Sequence, residues 1–158
     1  MASSLPTGSL IYKKALSFLS RREHSTFELK RKLYERFPND KDLIGKVLQQ
    51  LQEQNYLRDQ AFSEMLLWHR ASQGYGPNYL RQELKTHQLK LDSALLTSTA
   101  VQEAFFEGFK HQFRRRYKQL PQTPLERAQL MKYFRSRGYT EAMVEEYLQR
   151  LQEMLPPS

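Results

Sequence analysis

The side chains with the clearest chemical potential are basic and lie close together near residue 115. Arg114, Arg115, Arg116 and Lys118 fall within five consecutive positions, and Lys110 precedes them by one helical turn. Cations at this density can bind phosphate groups or the carboxylates of a partner protein, because both are anionic. The segment is therefore the first candidate for a binding surface.

A stripe of aromatic residues predicts how this segment is placed. Phe105, Phe109 and Phe113 recur at every fourth position, which puts them on one face of a helix and is typical of a core-facing stripe. The cations at residues 114–118 cannot all share that buried face, so we expect them on accessible surface. Two further basic concentrations occur at residues 13–22 and 30–36, and either one taken alone is typical of a solvated helix face.

The remaining reactive residue types lack the spacing that catalysis or metal binding requires. The histidines form no HExxH word and have no cluster of acids near them in the sequence: His24, His69, His87 and His111. The chain contains neither a GxxxxGK[ST] word for phosphates nor a GxGxxG word for dinucleotides. Carboxylates such as Glu141 and Glu145 lie opposite an apolar stripe, which is typical of a solvated face. We therefore expect no cofactor, no metal and no enzymatic activity.

Composition limits the class of protein. The 158 residues match the usual size of one domain, and a net charge of +8 favours anionic partners. The charged fraction of 27% indicates much solvated surface, which fits a polar, elongated molecule better than a dense enzyme. Cysteine is absent, so disulfides and thiol chemistry are excluded and a cytoplasmic location is expected. No secretory pattern opens the chain and no apolar run approaches the roughly 20 residues that span a bilayer, so we expect no membrane association.

The spacing of apolar residues predicts helices and an internal repeat. Ile44, Val47, Leu48 and Leu51 occupy positions i, i+3, i+4 and i+7, and the same spacing recurs at residues 144–151. The words VLQQLQE and YLQRLQE that contain these stripes lie about one hundred residues apart, which suggests a repeat. Predicted helices span residues 9–20, 26–37, 41–54, 60–72, 77–87, 92–101, 102–118, 124–137 and 141–154.

We expect these helices to form an all-α protein of three tandem three-helix repeats, at residues 10–57, 58–101 and 102–155, after a disordered N-terminus at residues 1–9. Capping signals begin helices at Ser25 and Thr123, and Pro77 stands at a first helical position, after a turn that Gly76 is expected to relax. Because a three-helix unit buries only a limited face alone, the repeats are expected to stack into an elongated, curved monomer.

Four words resemble those of one family. The segment QGYGPNYLRQEL at residues 73–84 closely resembles the GYGPxxIxxEL word of the RecX family. NYLRDQAF at residues 55–62 is similar to its GYLDDxxFA word, REHSTFELKRKL at 22–33 to its RxxSxxELxxKL word, and RSRGY at 135–139 to its RGY word. Their order and spacing extend the resemblance over nearly the whole chain.

The chain also departs from the family words at three places. Asn55 stands where the family usually has glycine, Arg58 replaces the first aspartate of a pair, and His87 with Gln88 replaces a turn of the Lys-Gly kind. These departures concern turn geometry and a capping acid, and Asp59 is expected to supply that cap.

The resemblance implies a regulator of homologous recombination and the SOS response. Such a protein binds the RecA filament on single-stranded DNA, lies in its groove and restrains RecA's ATP hydrolysis, strand exchange and co-protease activity. The residues that we assign to contact with RecA or DNA are Arg70, Tyr75, Arg81, Lys85, Lys110, Arg114, Arg115, Arg116 and Lys118. The residues that we assign to the structural motif are Gly74, Gly76, Pro77, Leu80, Leu84, Gly138 and Tyr139.

Two other classes of function stay open at this point. The chain could be a basic helical module that binds DNA or RNA without RecA, and steep salt dependence on naked nucleic acid would favour that class. It could also be an enzyme with an unrecognised acid and base pair, which turnover abolished by a single carboxylate change would favour.

Overall fold

The computed structural model describes residues 7–156, and every regular element among them is a helix. The helices are α1 (Thr7–Arg21), α2 (Thr26–Arg36), α3 (Lys41–Glu53), α4 (Asp59–Ser72), α5 (Pro77–Thr86), α6 (Ser93–Leu96), α7 (Thr99–Arg116), α8 (Pro124–Ser136) and α9 (Glu141–Glu153). The predicted all-α class is confirmed. None of the helices in this part of the chain combines the length and apolar character needed to cross a membrane.

Local signals place most of the helix ends. Ser25 Oγ accepts a hydrogen bond from the amide of Glu28 at 3.0 Å, and Thr123 Oγ1 accepts one from the amide of Glu126 at 3.1 Å, as the capping signals predict. α5 begins at Pro77, also as predicted. The expected disordered terminus falls on residues 1–9, of which 1–6 lie outside the described residues and 7–9 form the start of α1.

The helix predicted at residues 92–101 is wrong in length. Within this range, Ser93–Leu96 form the short helix α6, and residues 99–101 already belong to α7, which begins ahead of the predicted boundary between the second and third repeats. The Thr97 hydroxyl donates to the carbonyl of Ala94 at 2.8 Å, and Ser98 has the extended backbone of an N-cap residue. Hydroxyl side chains that bond to nearby backbone compete with helix continuation, so this polar run ends one helix and begins another.

The chain divides into two compact units. Unit 1 contains the residues up to Met65 together with His87–Leu89, and unit 2 contains Leu66–Thr86 and the residues from Lys90 onwards. The repeat predicted at residues 10–57 lies within unit 1, whereas those predicted at 58–101 and 102–155 both contribute to unit 2. The division into three repeats stays a prediction.

Unit 1 is built on the mutual packing of α1, α2 and α3. Its core consists of Ile11, Ala15, Leu29, Leu33, Ile44, Val47, Leu48, Leu51 and Leu57. Asp59 does not act as the expected cap of its own helix, because it is the first residue of α4. Its carboxylate instead accepts from the amide of Thr26 at 2.7 Å and from the Thr26 hydroxyl at 3.0 Å, which satisfies a free donor at the start of α2.

Unit 2 has an aromatic core centred on α7. Phe105, Phe109 and Phe113 are all buried, which confirms the predicted core stripe. The ring centroid of Phe109 lies 4.1 Å from that of Phe134 on α8 and 5.2 Å from that of Tyr147 on α9. Aromatic contacts of this kind add geometric specificity to apolar burial, so they hold α7, α8 and α9 in a defined arrangement.

Candidate functional site

Two segments that carry the family words, residues 73–77 and 137–139, lie against each other in unit 2. The amide of Gly76 donates to the carbonyl of Arg137 at 2.8 Å, and the amide of Asn78 donates to that of Gly138 at 2.9 Å. A Cβ atom at Gly76 would lie 2.5 Å from the carbonyl carbon of Gly138. Glycine at position 76 is thus required by a close approach of two backbones, which differs from the relaxed turn expected from the sequence.

The side chain of Arg137 links the two segments through hydrogen bonds. Its Nε donates to the carbonyl of Gly74 at 2.7 Å, and its Nη2 donates to the carbonyl of Gln73 at 2.8 Å. The guanidinium also lies 4.0 Å from the ring centroid of Tyr75, a cation–π contact. Tyr75 is stacked on Tyr79, with 4.0 Å between the centroids and 19° between the planes. An arginine and two aromatic rings are therefore held in one fixed group.

An open, mostly polar cleft of about 500 Å³ lies at this group. It is lined by Arg70, Ser72, Gln73, Tyr75, Tyr79, His111, Gln112, Arg115 and Arg137. Glu83 binds Arg70 with two hydrogen bonds of 2.7 and 2.6 Å, which raise the pKa of Arg70. Arg115 and Arg137 take part in no ion pair within the described residues. The cleft thus keeps uncompensated positive charge and suits an anionic group.

Comparison with known proteins identifies the family. The family model for the first three-helix domain of RecX matches residues 12–51. The regulatory protein RecX of Ralstonia nicotianae is 35% identical over 153 residues, which cover 96% of this chain and 95% of that relative. The chain belongs to the RecX family. The regulatory protein RecX of Ectopseudomonas mendocina is 34% identical over 147 residues, which cover 90% of this chain and 95% of that protein.

Solved RecX structures share the fold. The crystal structure of RecX from Lactobacillus salivarius superposes with a TM-score of 0.74 at 17% identity and covers 93% of this chain and 97% of that one. A second crystal structure of the regulatory protein RecX gives a TM-score of 0.68 at 19% identity, with coverage of 87% and 70%. These likenesses concern the fold, and they agree with the helical architecture described above.

In this RecX-family chain the basic segment of α7 is exposed but does not form one surface. Arg114, Arg115, Arg116 and Lys118 are all exposed. Arg115 lines the cleft beside Tyr75, whereas Arg116 and Lys118 line a different cleft with Glu126. The Arg116 guanidinium also lies 4.0 Å from the ring centroid of Tyr133, so this side chain has a packing role of its own.

The other residues assigned to binding have different surroundings. Lys110 is half-buried, pairs with Glu107 at 3.0 Å and lies 5.6 Å from the ring centroid of Phe106. Arg81 is exposed and donates to Asn78 at 2.6 Å, and Lys85 is exposed near the end of α5. Their part in binding stays a prediction.

Of the nine residues that line the cleft, sequence reasoning assigned three to binding and missed six: Ser72, Gln73, Tyr79, His111, Gln112 and Arg137. Arg137 stands inside the RSRGY word, which is a usable signal, but the word by itself indicates only a structural motif. Gln112 donates to the carbonyl of Gln73 at 3.1 Å and accepts from the Tyr133 hydroxyl at 3.3 Å, contacts that residue spacing along the chain does not reveal.

At two of the departures from the family words, the backbone of unit 1 is in the left-handed region. Asn55 and Gln88 have φ values of 63° and 59°, the left-handed region that favours glycine. Asparagine and glutamine are both less suited to this conformation than glycine. As for metal binding, no group of three or more His, Asp or Glu residues within 7–156 is placed where it could hold an ion.

Proposed function

We propose that this chain regulates homologous recombination by binding the RecA filament formed on single-stranded DNA. In this proposal it restrains RecA's ATP hydrolysis, strand exchange and co-protease activity, and it acts without catalysis of its own. Its membership of a family whose relatives are named regulatory proteins supports the proposal. The observation in this chain that carries it is the cleft of unit 2, where Arg115 and Arg137 lie beside the stacked pair Tyr75 and Tyr79.

The chemistry of the cleft suits the surface of a nucleoprotein filament. Guanidinium groups bind phosphates and carboxylates in a planar, two-bonded geometry, so Arg115 can take either a DNA phosphate or an acidic side chain of RecA. Arg137 is already committed to the backbone of residues 73 and 74, so it supplies a fixed positive charge more than free hydrogen-bond donors. Weak contacts of this kind, repeated over tandem helical units, gain affinity through effective concentration.

The cellular location that we propose follows from the proposed partner, the RecA filament. A RecA filament on DNA is an intracellular assembly, and the absence of cysteine from the chain is compatible with a reducing compartment. We infer that the protein acts in the cytoplasm as a monomer.

Co-sedimentation with preformed RecA–DNA filaments tests the proposal. The chain should pellet with filaments at concentrations at which an equal amount of naked single strand leaves it in the supernatant, and it should slow RecA's DNA-dependent ATP hydrolysis over the same range. If it pellets equally with naked strand and leaves RecA's hydrolysis unchanged, the function is that of a nucleic-acid-binding module independent of RecA.

A further inference from the structure

Unit 1 contains a cluster of cations arranged around one aromatic ring. Lys14 Nζ and Lys32 Nζ each lie 5.0 Å from the ring centroid of Phe18, and Arg36 Cζ lies 5.6 Å from it. Lys14 and Phe18 are four residues apart on α1, and Lys32 and Arg36 are four residues apart on α2, so each helix presents two neighbouring side chains to the same place. We call these four residues the Phe18 cluster.

No carboxylate among the described residues makes a direct ion pair with the Phe18 cluster. The ion pairs of unit 1 within the described residues join Arg22 to Glu28 and Arg58 to Glu23, and neither includes a member of the cluster. Glu28 also attracts Lys32 electrostatically, but it makes its direct ion pair with Arg22. Three like charges around one ring repel each other, and the negative face of the ring offsets only part of that repulsion. An anion placed among them would relieve the rest.

His24 orients one of these cations without cancelling its charge. Its ring is buried, and Nδ1 lies 3.0 Å from the carbonyl of Arg22, which can only accept, so Nδ1 carries the hydrogen. Nε2 then accepts from the Lys32 ammonium at 2.9 Å. Burial lowers the pKa of His24, so the ring is neutral at pH 7. Lys32 is thereby positioned by a neutral acceptor.

A second ring in unit 1 is surrounded in the same way. Lys30 Nζ lies 5.5 Å and Lys41 Nζ 5.4 Å from the ring centroid of Tyr34, and neither lysine has a carboxylate partner within the described residues. Cations of α2 thus lie at both rings, with Lys32 and Arg36 at Phe18 and Lys30 at Tyr34. A single acidic side chain of a partner can neutralise only one such place, whereas a nucleic-acid strand carries a phosphate at every nucleotide.

We propose that the Phe18 cluster is a phosphate-binding site through which unit 1 holds the backbone of a nucleic-acid strand. Lysine binds phosphate as a point charge and arginine binds it in a planar fork, so all three cations of the cluster suit a phosphate group. The ring itself is half-buried and already approached by cations, so the site takes phosphate and does not stack a base. The inference goes beyond the proposed function, because it assigns direct contact with nucleic acid to unit 1 and requires no RecA.

Binding of a labelled single-stranded oligothymidylate to the full chain, followed by fluorescence anisotropy over a salt series without RecA, tests this site. The double substitution Lys14→Gln with Arg36→Gln should weaken binding at least about tenfold at about 50 mM salt. It should also lower the slope of log affinity against log salt by about 1.4, because each phosphate that is neutralised on a single strand adds about 0.7 to that slope. Thermal melting should show that the variant is folded.

The matched control is Lys13→Gln with Lys46→Gln, which removes the same charge from exposed lysines of unit 1 that line a different cleft. It should change affinity much less and leave the salt slope nearly unaltered. Equal decreases in the two double variants would mean that only net charge matters and would overturn the site. Failure of the unaltered chain to bind the oligonucleotide would also overturn the site. Binding of labelled polyglutamate is measured in the same way, and a cluster variant that binds polyglutamate more weakly but binds the oligonucleotide as the unaltered chain does would overturn it too. None of these measurements contains RecA, so they stand apart from the co-sedimentation result.

Discussion

Gly76 and Gly138 approach each other so closely that position 76 has no room for a Cβ atom. Such an atom would lie 2.5 Å from the carbonyl carbon and oxygen of Gly138, and both of these are backbone atoms that cannot rotate away. The contact joins the segment before α5 to the segment before α9 within unit 2, and Tyr75 and Arg137 stand beside it. The shape of the cleft therefore depends on two backbones far apart in sequence.

The substitution Gly76→Ala should lower the free energy of unfolding by about 1–3 kcal/mol, because the added methyl group forces these backbones apart. Gly45→Ala is the matched control. No atom lies within 4 Å of a Cβ at Gly45, which is inside α3, so alanine should stabilise the protein by about 0.5–1 kcal/mol. Urea denaturation measures both, and an unchanged midpoint for Gly76→Ala would contradict the close approach.

The substitution Gln88→Gly should raise stability, because Gln88 occupies the left-handed region at a φ of 59°. Relief of that strain is worth about 1 kcal/mol before the extra flexibility of glycine in the unfolded chain is subtracted. Asn55→Gly should have a smaller effect, since asparagine tolerates this region better than glutamine does. Thermal melting should rank the two variants in this order, and the reverse order would argue against backbone strain at Gln88.

The stability of unit 1 should fall as the pH is lowered from about 7 to about 5.5, because of His24. Burial lowers the pKa of His24 below its ordinary 6.5, so the unfolded chain binds a proton more readily than the folded one. The contribution of His24 to stability is therefore fully present above pH 6.5 and is lost as the pH falls through the folded pKa. Protonation would also set a second positive charge beside the Lys32 ammonium.

Denaturation midpoints of the unaltered chain and of His24→Gln, measured over this pH range, check the role of His24. The variant should depend less on pH, whereas His69→Gln, which alters an exposed histidine, should behave like the unaltered chain. Identical pH profiles for all three proteins would exclude His24 as the titrating group.

The substitution Tyr147→Phe should leave stability unchanged or raise it by up to about 1 kcal/mol. The Tyr147 hydroxyl is buried without a hydrogen-bond partner among the described residues, and burial raises its pKa far above the usual range. Removing a polar group that is desolvated and unpaired costs the fold nothing. Tyr133→Phe is the control, because that hydroxyl donates to Gln112 at 3.3 Å and its removal should destabilise the protein slightly. Calorimetry of both variants measures the difference, and strong destabilisation by Tyr147→Phe would mean that the hydroxyl does have a partner in solution.

Charge reversal at Arg114 and Arg115 should weaken inhibition of RecA's DNA-dependent ATP hydrolysis, and more at low salt than at high salt, because salt screens the attraction. Arg116 is left intact, since its guanidinium packs on the ring of Tyr133. The double substitution Lys90→Glu with Lys132→Glu makes the same charge change at exposed positions of unit 2 and should have a smaller effect. Undiminished inhibition by a folded Arg114→Glu, Arg115→Glu variant at every salt concentration would remove this part of α7 from the binding surface.

The helices of this protein could be predicted from its sequence because their causes are local. The i, i+3, i+4 spacing of residues 44–51 defines the buried face of α3, and Ser25, Pro77 and Thr123 begin helices through contacts within a few residues. The family words could be recognised for the same reason, since each is a short run of residues. Where local preferences compete, at residues 97–99, the prediction of one long helix is wrong.

The arrangement of the candidate site was decided only by the tertiary structure. Arg137 reaches Tyr75 and the carbonyls of residues 73 and 74 across more than sixty positions of sequence, and packing in unit 2 brings them together. Packing also separates Arg115 from Arg116, which are adjacent in the chain but line different clefts, because successive residues of a helix point about 100° apart. Charge density along a sequence therefore predicts that cations are exposed, whereas the directions of the side chains determine which of them can bind the same anion.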